Sequence, residues 1–293
     1  GRCFDPFKKR LKSKLVKKNL NSEISKTELA KNLGLSRSGL YYKPKLEQKD
    51  KSLLKNIRKA MERNPSYGHR RIALALKVNH KRVLRVMQKF ELKPLLYRKK
   101  NKFNYHQPQQ VQDGKNLIKK LSPIAPNCIW VTDFTYLRYK KKFVYLATVI
   151  DVFTRQVIGW NMSLKHDRHL TQTAIEEALS QGKAEYLHSD RGAEYNHKEL
   201  KILLTEKGIK HSRSDKSSPW QNSWQESFYS QFKLELGGTA KYQSYEELIE
   251  AVAKQINYYN NERIHLSLKM SPKQFKSNYQ AKRAALLSKK MGT

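Results

Sequence analysis

Three carboxylates in this 293-residue chain occupy positions where an acidic side chain needs explaining. Asp133 lies in "CIWVTDFTYLRY", whose alternation predicts a strand with Asp133 on the same face as Ile129, Val131, Thr135 and Leu137. An ionised carboxylate on a packed face is costly unless it is paired or holds a cation. Asp190 closes the short run "AEYLHSD", at a strand end, which is where α/β folds place their chemistry. Glu226 stands in the aromatic segment "SSPWQNSWQESFYSQFKLELG", Ser217 to Gly237. With Trp224 at zero on a helical wheel, Phe228 and Phe232 fall within ~80° of it, while Glu226 and Lys233 share the far side. Spacing alone leaves Glu226 open to three readings: a solvated helix face, a capping partner, or a ligand. Three carboxylates without thiolates or paired histidines would form a hard-oxygen site suited to Mg²⁺ or Mn²⁺. Two neighbours are weighed against them. Asp151, in "VIDVFTR", suits a turn where its side chain accepts nearby backbone N–H groups. His188 shares the face of Asp190 and is read as a hydrogen-bonding support for the site.

The elements that must hold these side chains follow from periodicity. Runs at 128–139, 143–150 and 156–162 read as strands joined by short polar turns. A helix over 169–180, the short strand 184–190, a helix over 197–208 and the strand 209–214 come next. A final long helix begins at Ser244, whose spacing from Glu247 is that of a capping box. Three antiparallel strands followed by alternating helices and strands make a mixed α/β layer. The basic tail after Phe275 is read as loosely held.

Composition limits the function. Sixty Lys and Arg against 25 Asp and Glu give a net charge of +35, and residues 1–110 alone hold 31 basic and 7 acidic residues. A chain this basic is expected to bind nucleic acid. Two distant cysteines, Cys3 and Cys128, exclude a disulfide framework or a paired zinc site. No apolar run approaches membrane-spanning length and no secretory leader is evident, so a cytoplasmic, nucleoid-associated protein is expected. "SKTELAKNLGLSRSGLYY", Ser25 to Tyr42, has helix-turn-helix spacing around Gly34. A second such unit runs through "GHRRIALAL" and "NHKRVLRVMQKF", with Asn79 as N-cap and a Val83, Val86, Met87 and Phe90 stripe. Its basic residues Arg70, Arg71, Lys81, Arg82, Arg85 and Lys89 are the expected DNA contacts. Five segments result: a basic segment with helix-turn-helix at 1–48, a second helix-turn-helix domain at 49–92, a basic linker at 93–122, a catalytic core at 123–240, and a helix and tail at 241–293.

The words around the carboxylates carry a more specific signal. "WVTDFTYL", "VIDVFTRQVIGW", "HSDRGAEY", "QESFYSQFKLE" and "YYNNERIHLSLKMSPKQF" occur in this order. Together they resemble the integrase core of transposases of the IS-three-type insertion sequences, part of the superfamily of acidic-triad transposases and retroviral integrases. "SYGHRRIALAL" and "HKRVLRVMQKF" resemble the helix-turn-helix that precedes that core, and the likeness covers about residues 52 to 276. The resemblance implies an RNase-H-like fold, a five-stranded mixed sheet flanked by helices. It makes Asp133, Asp190 and Glu226 a metal-binding catalytic triad for two Mg²⁺ or Mn²⁺ ions, and Lys233 a contact to the DNA end. It further implies cleavage and joining of DNA strands at element ends and target sites, a circular intermediate, and a homo-oligomer bridging both ends. A fusion or partnership with an upstream helix-turn-helix frame belongs to the same expectation. Ile264 stands where proline is common in that family, and Trp220 and Trp224 where smaller residues are; both departures are expected to bear on DNA contacts near the site. The rival functions are a catalytically silent DNA-binding protein or repressor, which would have lost a triad carboxylate, and a hydrolytic RNase-H-like nuclease, which would not need the basic N-terminal region.

Overall fold

The computed structural model describes residues 25, 27–28, 31, 45–97, 116–214 and 222–291. Most of the expected helix-turn-helix at 25–42, most of the linker and Trp220 lie outside them. The chain divides into two compact units, residues 1–55 and 56–293. The helix α1, Lys45–Arg63, contains that boundary, and the helices α2, His69–Leu76, and α3, His80–Lys89, fall in the second unit with the sheet.

The sheet has five strands: β1 Ile129–Tyr139, β2 Lys142–Asp151, β3 Val157–Ser163, β4 Tyr186–Ser189 and β5 Lys210–Arg213. Their order is β3-β2-β1-β4-β5. β1 to β3 form an antiparallel meander, and β4 and β5 add parallel to β1, so β1 is central. Alternation along β1 sends Ile129, Val131, Leu137 and Tyr139 to one face and Trp130 to the other. The first face packs against α6, Ser223–Leu236, and α7, Tyr245–Asn261, through Phe228, Phe232, Val252 and Ile256. The second packs against α4, Arg168–Gln181, and α5, Lys198–Glu206, through Leu170, Ala174, Ile175 and Leu200. This is the mixed sheet with helices on both sides that the motifs imply.

Local signals account for the ends of these elements. The Asn79 side chain accepts the Lys81 N–H at 2.9 Å, and Val83, Val86 and Met87 are buried as the stripe requires. Ser244 accepts the Glu247 N–H at 3.1 Å, but the Glu247 carboxylate returns to the N–H of Gln243 at 2.7 Å, one residue earlier than a capping box places it. Asp151 is buried and structural: it accepts the Thr154 N–H at 2.6 Å, the Thr154 hydroxyl at 2.7 Å and the Asn127 N–H at 2.6 Å. The tail differs from expectation. Residues Pro272–Met291 form the helix α8, whose Phe275 and Tyr279 rings lie 5.4 and 5.0 Å from the Phe153 ring. Two aromatic anchors one turn apart give the basic segment a face to fold on, although its distal half is exposed.

Helix α4 crosses β3 at Gly159, which is buried. A Cβ there would run into the Ala174 carbonyl and come within 2.7 Å of the Ala178 backbone nitrogen. Gly159→Ala is therefore expected to destabilise the protein by about 1–3 kcal/mol, the range for overpacking a core. Gly68→Ala, where nothing lies within 4 Å of the added carbon, is the control. Thermal unfolding followed by circular dichroism checks this; equal melting temperatures for the two variants would contradict it.

Candidate active site

The register of β1 and β4 brings two of the three carboxylates together. Their parallel pairing ends at Val131↔His188, and two residues further along each chain stand Asp133 and Asp190. Backbone donors orient both. Asp133 accepts its neighbour Phe134's N–H at 2.8 Å, and Asp190 accepts the Gly192 N–H at 2.9 Å. Asp133 is half-buried in the central strand, and burial is the main reason its carboxyl is pushed up to about 7. The Asp190 carboxylate raises it further and the Phe134 N–H lowers it, followed by raising contributions from Glu194 and Glu226. Four acidic side chains thus act on one another inside a basic protein.

Glu194 is one the sequence reading missed. Its carboxylate folds back against Gly192, at the place a side chain on residue 192 would take, and lies 3.9 Å from the His166 imidazole. The signal was available, since Glu194 is four residues past Asp190 in "HSDRGAEY". His188 is buried and bonded to its neighbouring strand. Its Nδ1 lies 2.9 Å from the Ser212 hydroxyl and its Nε2 3.1 Å from the Ser214 hydroxyl, so both ring nitrogens face β5 and its end.

Glu226 arrives on α6, and its position differs from the wheel drawn on Trp224. The buried stripe of α6 is Gln225, Phe228, Tyr229, Phe232 and Leu236, with Trp224 at its margin. Glu226 and Lys233 therefore flank the buried stripe, roughly 90° from its centre at 100° per residue. Glu226 is exposed in the first helical turn, and partial burial raises its carboxyl above the usual range. What sets its place is Gln225, buried one residue before it. The Gln225 amide donates to the Val131 carbonyl at 2.8 Å and the Thr148 carbonyl at 3.1 Å. One turn on, the Tyr229 hydroxyl donates to the carbonyl of Asp133 itself at 2.6 Å. The Thr148 hydroxyl lies 2.9 Å from both Gln225 Oε1 and the Tyr229 hydroxyl. A polar residue in line with three aromatics at helical spacing was the legible clue to this docking.

The other end of α6 is fixed by Glu235. Its carboxylate accepts Arg263 Nε at 2.8 and 3.0 Å, with both side chains almost fully buried. Ser66, Gln231 and Gln255 also donate to it, at 2.6, 2.9 and 3.0 Å. Ser66 lies between α1 and α2, so the network ties α6 to the helical pair as well as to the segment after α7. Two bonds at Ile264 complete that junction: its N–H donates to the Tyr67 hydroxyl at 2.7 Å, and its carbonyl accepts Arg71 Nε at 3.0 Å. Proline at 264 would lack the first bond, so this departure from the family pattern bears on packing between elements.

The expected DNA-contact side chains divide accordingly. Arg70, Lys81, Arg82 and Lys89 are exposed and Arg85 is half-buried. Arg71 is turned inward: besides Ile264 it faces the Tyr67 ring at 5.8 Å, so it belongs to the junction. Lys233 has its ammonium 4.7 Å from the centre of the Tyr136 ring.

Among the described residues no three Asp, Glu, His or Cys side chains are gathered closely enough to hold one ion as they stand. The donor chemistry nevertheless fits a hard cation. All four groups offer oxygen, and the Asp133 carboxyl, raised first by burial and then by Asp190, Glu194 and Glu226, lies in negative charge that a divalent ion would relieve.

Known proteins resemble the chain over most of its length. Residues 123–219 and 207–272 match two families described as integrase core domains. The chain is 31% identical over 255 residues to the InsK protein of insertion sequence element IS150 of Escherichia coli K12, covering 83% of this chain and 89% of that protein. It is 31% identical over 249 residues to the transposase of insertion sequence element IS904 of Lactococcus lactis, covering 80% and 98%. A structure of the HTLV-2 integrase catalytic core domain in complex with magnesium is 22% identical, with a TM-score of 0.43, covering 53% of this chain and 99% of that one.

Two outcomes follow from the charges. Because the Asp133 carboxyl is raised from 3.8 to about 7 on folding, the folded protein keeps a proton that the unfolded chain has lost. Its contribution to stability is greatest at low pH and is lost as pH rises through about 7. His211 and His265, each lowered to about 4 chiefly by burial, act in the opposite sense below the ordinary 6.5. The comparison is therefore made between pH 6.5 and 8 in EDTA, where the histidines contribute equally to both proteins and the wild-type melting temperature should fall relative to that of Asp133→Asn. Adding Mg²⁺ at pH 8 should raise the wild type and not the variant; parallel curves for the two proteins would remove Asp133 from the charge cluster. Separately, Glu235→Gln leaves Arg263 charged and buried, a loss on the order of 3–5 kcal/mol. Glu250→Gln breaks the exposed pair with Lys254 at 3.2 Å and should cost about 1 kcal/mol or less. Urea unfolding of both variants distinguishes the two cases.

Proposed function

The chain belongs to the insertion-sequence transposases built on an integrase core, and from that premise we propose that it cuts the ends of a DNA element and joins them by direct phosphoryl transfer. The family acts in DNA transposition; the roles of individual residues here are our reading. Water cleaves one strand to expose a 3′-hydroxyl, and that hydroxyl then attacks a second phosphodiester in the same site. Asp133, Asp190 and Glu226 would hold Mg²⁺ or Mn²⁺, whose chemistry when bound is to activate the attacking oxygen and stabilise the leaving one. Gln225 and Tyr229 keep the first turn of α6 seated on the carbonyls of Val131 and Asp133, which fixes the helix that carries Glu226. Arg82, Arg85 and Lys89 on α3 would grip duplex DNA in the manner of a helix-turn-helix, and Lys233 would hold a phosphate near the cut. Joining two ends requires at least two copies to meet, which supports a homo-oligomer bridging them, with or without an upstream helix-turn-helix frame.

The observation that carries this reading is the pair of aspartates two residues beyond the last β1–β4 pairing, where burial first and then Asp190, Glu194 and Glu226 raise the Asp133 carboxyl in a protein of net charge +35. A protein that only bound DNA would gain nothing from that concentration of negative charge. Asp190→Asn is nearly isosteric and removes a charged ligand, so it should abolish cleavage and joining in Mg²⁺ while DNA affinity stays within a few-fold. Arg82→Ala with Arg85→Ala should do the reverse, since base contacts are worth about 1–3 kcal/mol each. Strand-transfer assays on labelled element ends, run beside binding titrations, compare the two. Joining by the Asp190 variant at more than a few per cent of wild type would take Asp190 out of the chemistry.

A further inference from the structure

The β1–β2 hairpin carries a surface that the proposed chemistry does not use. Tyr136 and Phe143 are 57% and 51% exposed, and their rings meet edge to face at 5.2 Å. Tyr136 pairs with Tyr145 across the hairpin, which puts Phe143 on its diagonal and both rings on the same side of the sheet. Large aromatic side chains held in contact with one another and with water are surface that a partner can cover.

The charge around them selects the partner. From Phe134 to Ile150 there is no carboxylate, whereas Arg138, Lys140, Lys141 and Lys142 are all basic and exposed. Lys233 places its ammonium over the Tyr136 ring at 4.7 Å. It comes from α6, on the other side of the sheet, and the route is open because β4 pairs with β1 only as far as Val131. A second copy of the same face would set these cations against their own kind in a two-fold contact. A polyanion is favoured instead. Duplex DNA hides the faces of its internal bases, so two exposed rings side by side are better matched to successive unpaired bases.

We propose that Tyr136 and Phe143, with Lys233 beside them, form a stacking platform for the unpaired strand of a DNA end held at the acidic cluster. Position supports it from two elements. Tyr136 is three residues along β1 from Asp133, roughly 10 Å at ~3.4 Å per residue, on the opposite face of the sheet but past the point where β4 leaves the β1 edge open. Lys233 is seven residues along α6 from Glu226, again roughly 10 Å at ~1.5 Å per residue. A strand whose phosphate lies among the carboxylates reaches the rings within a few nucleotides. The platform would hold the strand still while its neighbour reacts. This inference rests on the reading of the carboxylates as the site of cutting, and its test separates the two.

The test compares the affinity of the full chain for a fluorescein-labelled duplex bearing a short single-stranded overhang with that for the blunt duplex of the same sequence. In a second probe, 2-aminopurine in the overhang reports stacking. The wild type should prefer the overhang, and Tyr136→Ala with Phe143→Ala should lose about tenfold of its affinity for that probe while binding the blunt duplex as before. Tyr136→Phe keeps a ring and should keep the preference and the change in 2-aminopurine fluorescence. Asp190→Asn should keep it too, so joining by that variant would sink the catalytic reading without touching the platform. Unchanged affinities for both probes in the double alanine variant, with its melting temperature intact, would overturn the platform. So would a shift to smaller species in sedimentation with the overhang preference unchanged, because the rings would then be an interface between copies. Should the double variant fail to fold, the absence of both the preference and the 2-aminopurine response in the wild type is sufficient to reject the idea.

Discussion

The site depends on one helix being held at both ends. At the start of α6, Gln225 and Tyr229 are bonded to carbonyls of β1 and β2, including that of Asp133. At its other end Glu235 lies in a buried cluster with Arg263, Ser66 and Gln255. Between these anchors Phe228 and Phe232 fill the space over the sheet. With both ends bonded and the middle packed, α6 has little freedom to slide or roll, and Glu226 inherits that rigidity although its own side chain faces solvent. Precise placement of a ligand on a helix comes from neighbours that are themselves satisfied.

The two kinds of charge in this molecule serve opposite ends. The basic residues are mostly exposed and spread over many elements, where water screens them and a phosphate backbone can replace their counterions. The acidic residues that matter are few and concentrated at the end of the β1–β4 pairing, where burial keeps their fields strong. The cost of that placement appears in Asp133, whose carboxyl is pushed up to about 7, first by burial and then by its acidic neighbours.

The helical pair α2–α3 belongs to the same compact unit as the sheet, where a separate domain over 49–92 was expected. The reason lies in particular side chains at the junction. Tyr258 donates to Asn64 at 2.5 Å, Ser66 to Glu235, and the Ile264 N–H to Tyr67, while Arg71 caps the Ile264 carbonyl. Glu235 and Arg263 are common to this junction and to the anchoring of α6. A change in how α2 and α3 are seated would therefore be felt by the helix that carries Glu226, through bonds rather than over a distance.

How much of this was legible beforehand depended on the range of the interaction. Strand alternation around Asp133, the helical spacing of Val83, Val86 and Met87, the Asn79 cap and the turn role of Asp151 are matters of a few residues, and the sequence by itself determined them. The order of motifs also determined the fold class and the family. The face of α6 was less legible, because Trp224, Phe228 and Phe232 make as good a stripe as Gln225, Phe228, Tyr229 and Phe232 until the sheet offers carbonyls that only Gln225 and Tyr229 can satisfy. Glu194 was likewise one acidic residue among many until a turn folded it toward Asp133. The inward turn of Arg71, the pairing of Glu235 with Arg263 and the bond made by Ile264 join residues 28 to 197 positions apart. Periodicity carries no information about partners at that separation. Only the tertiary structure could decide them, since a buried polar group is satisfied by whatever the fold brings within reach.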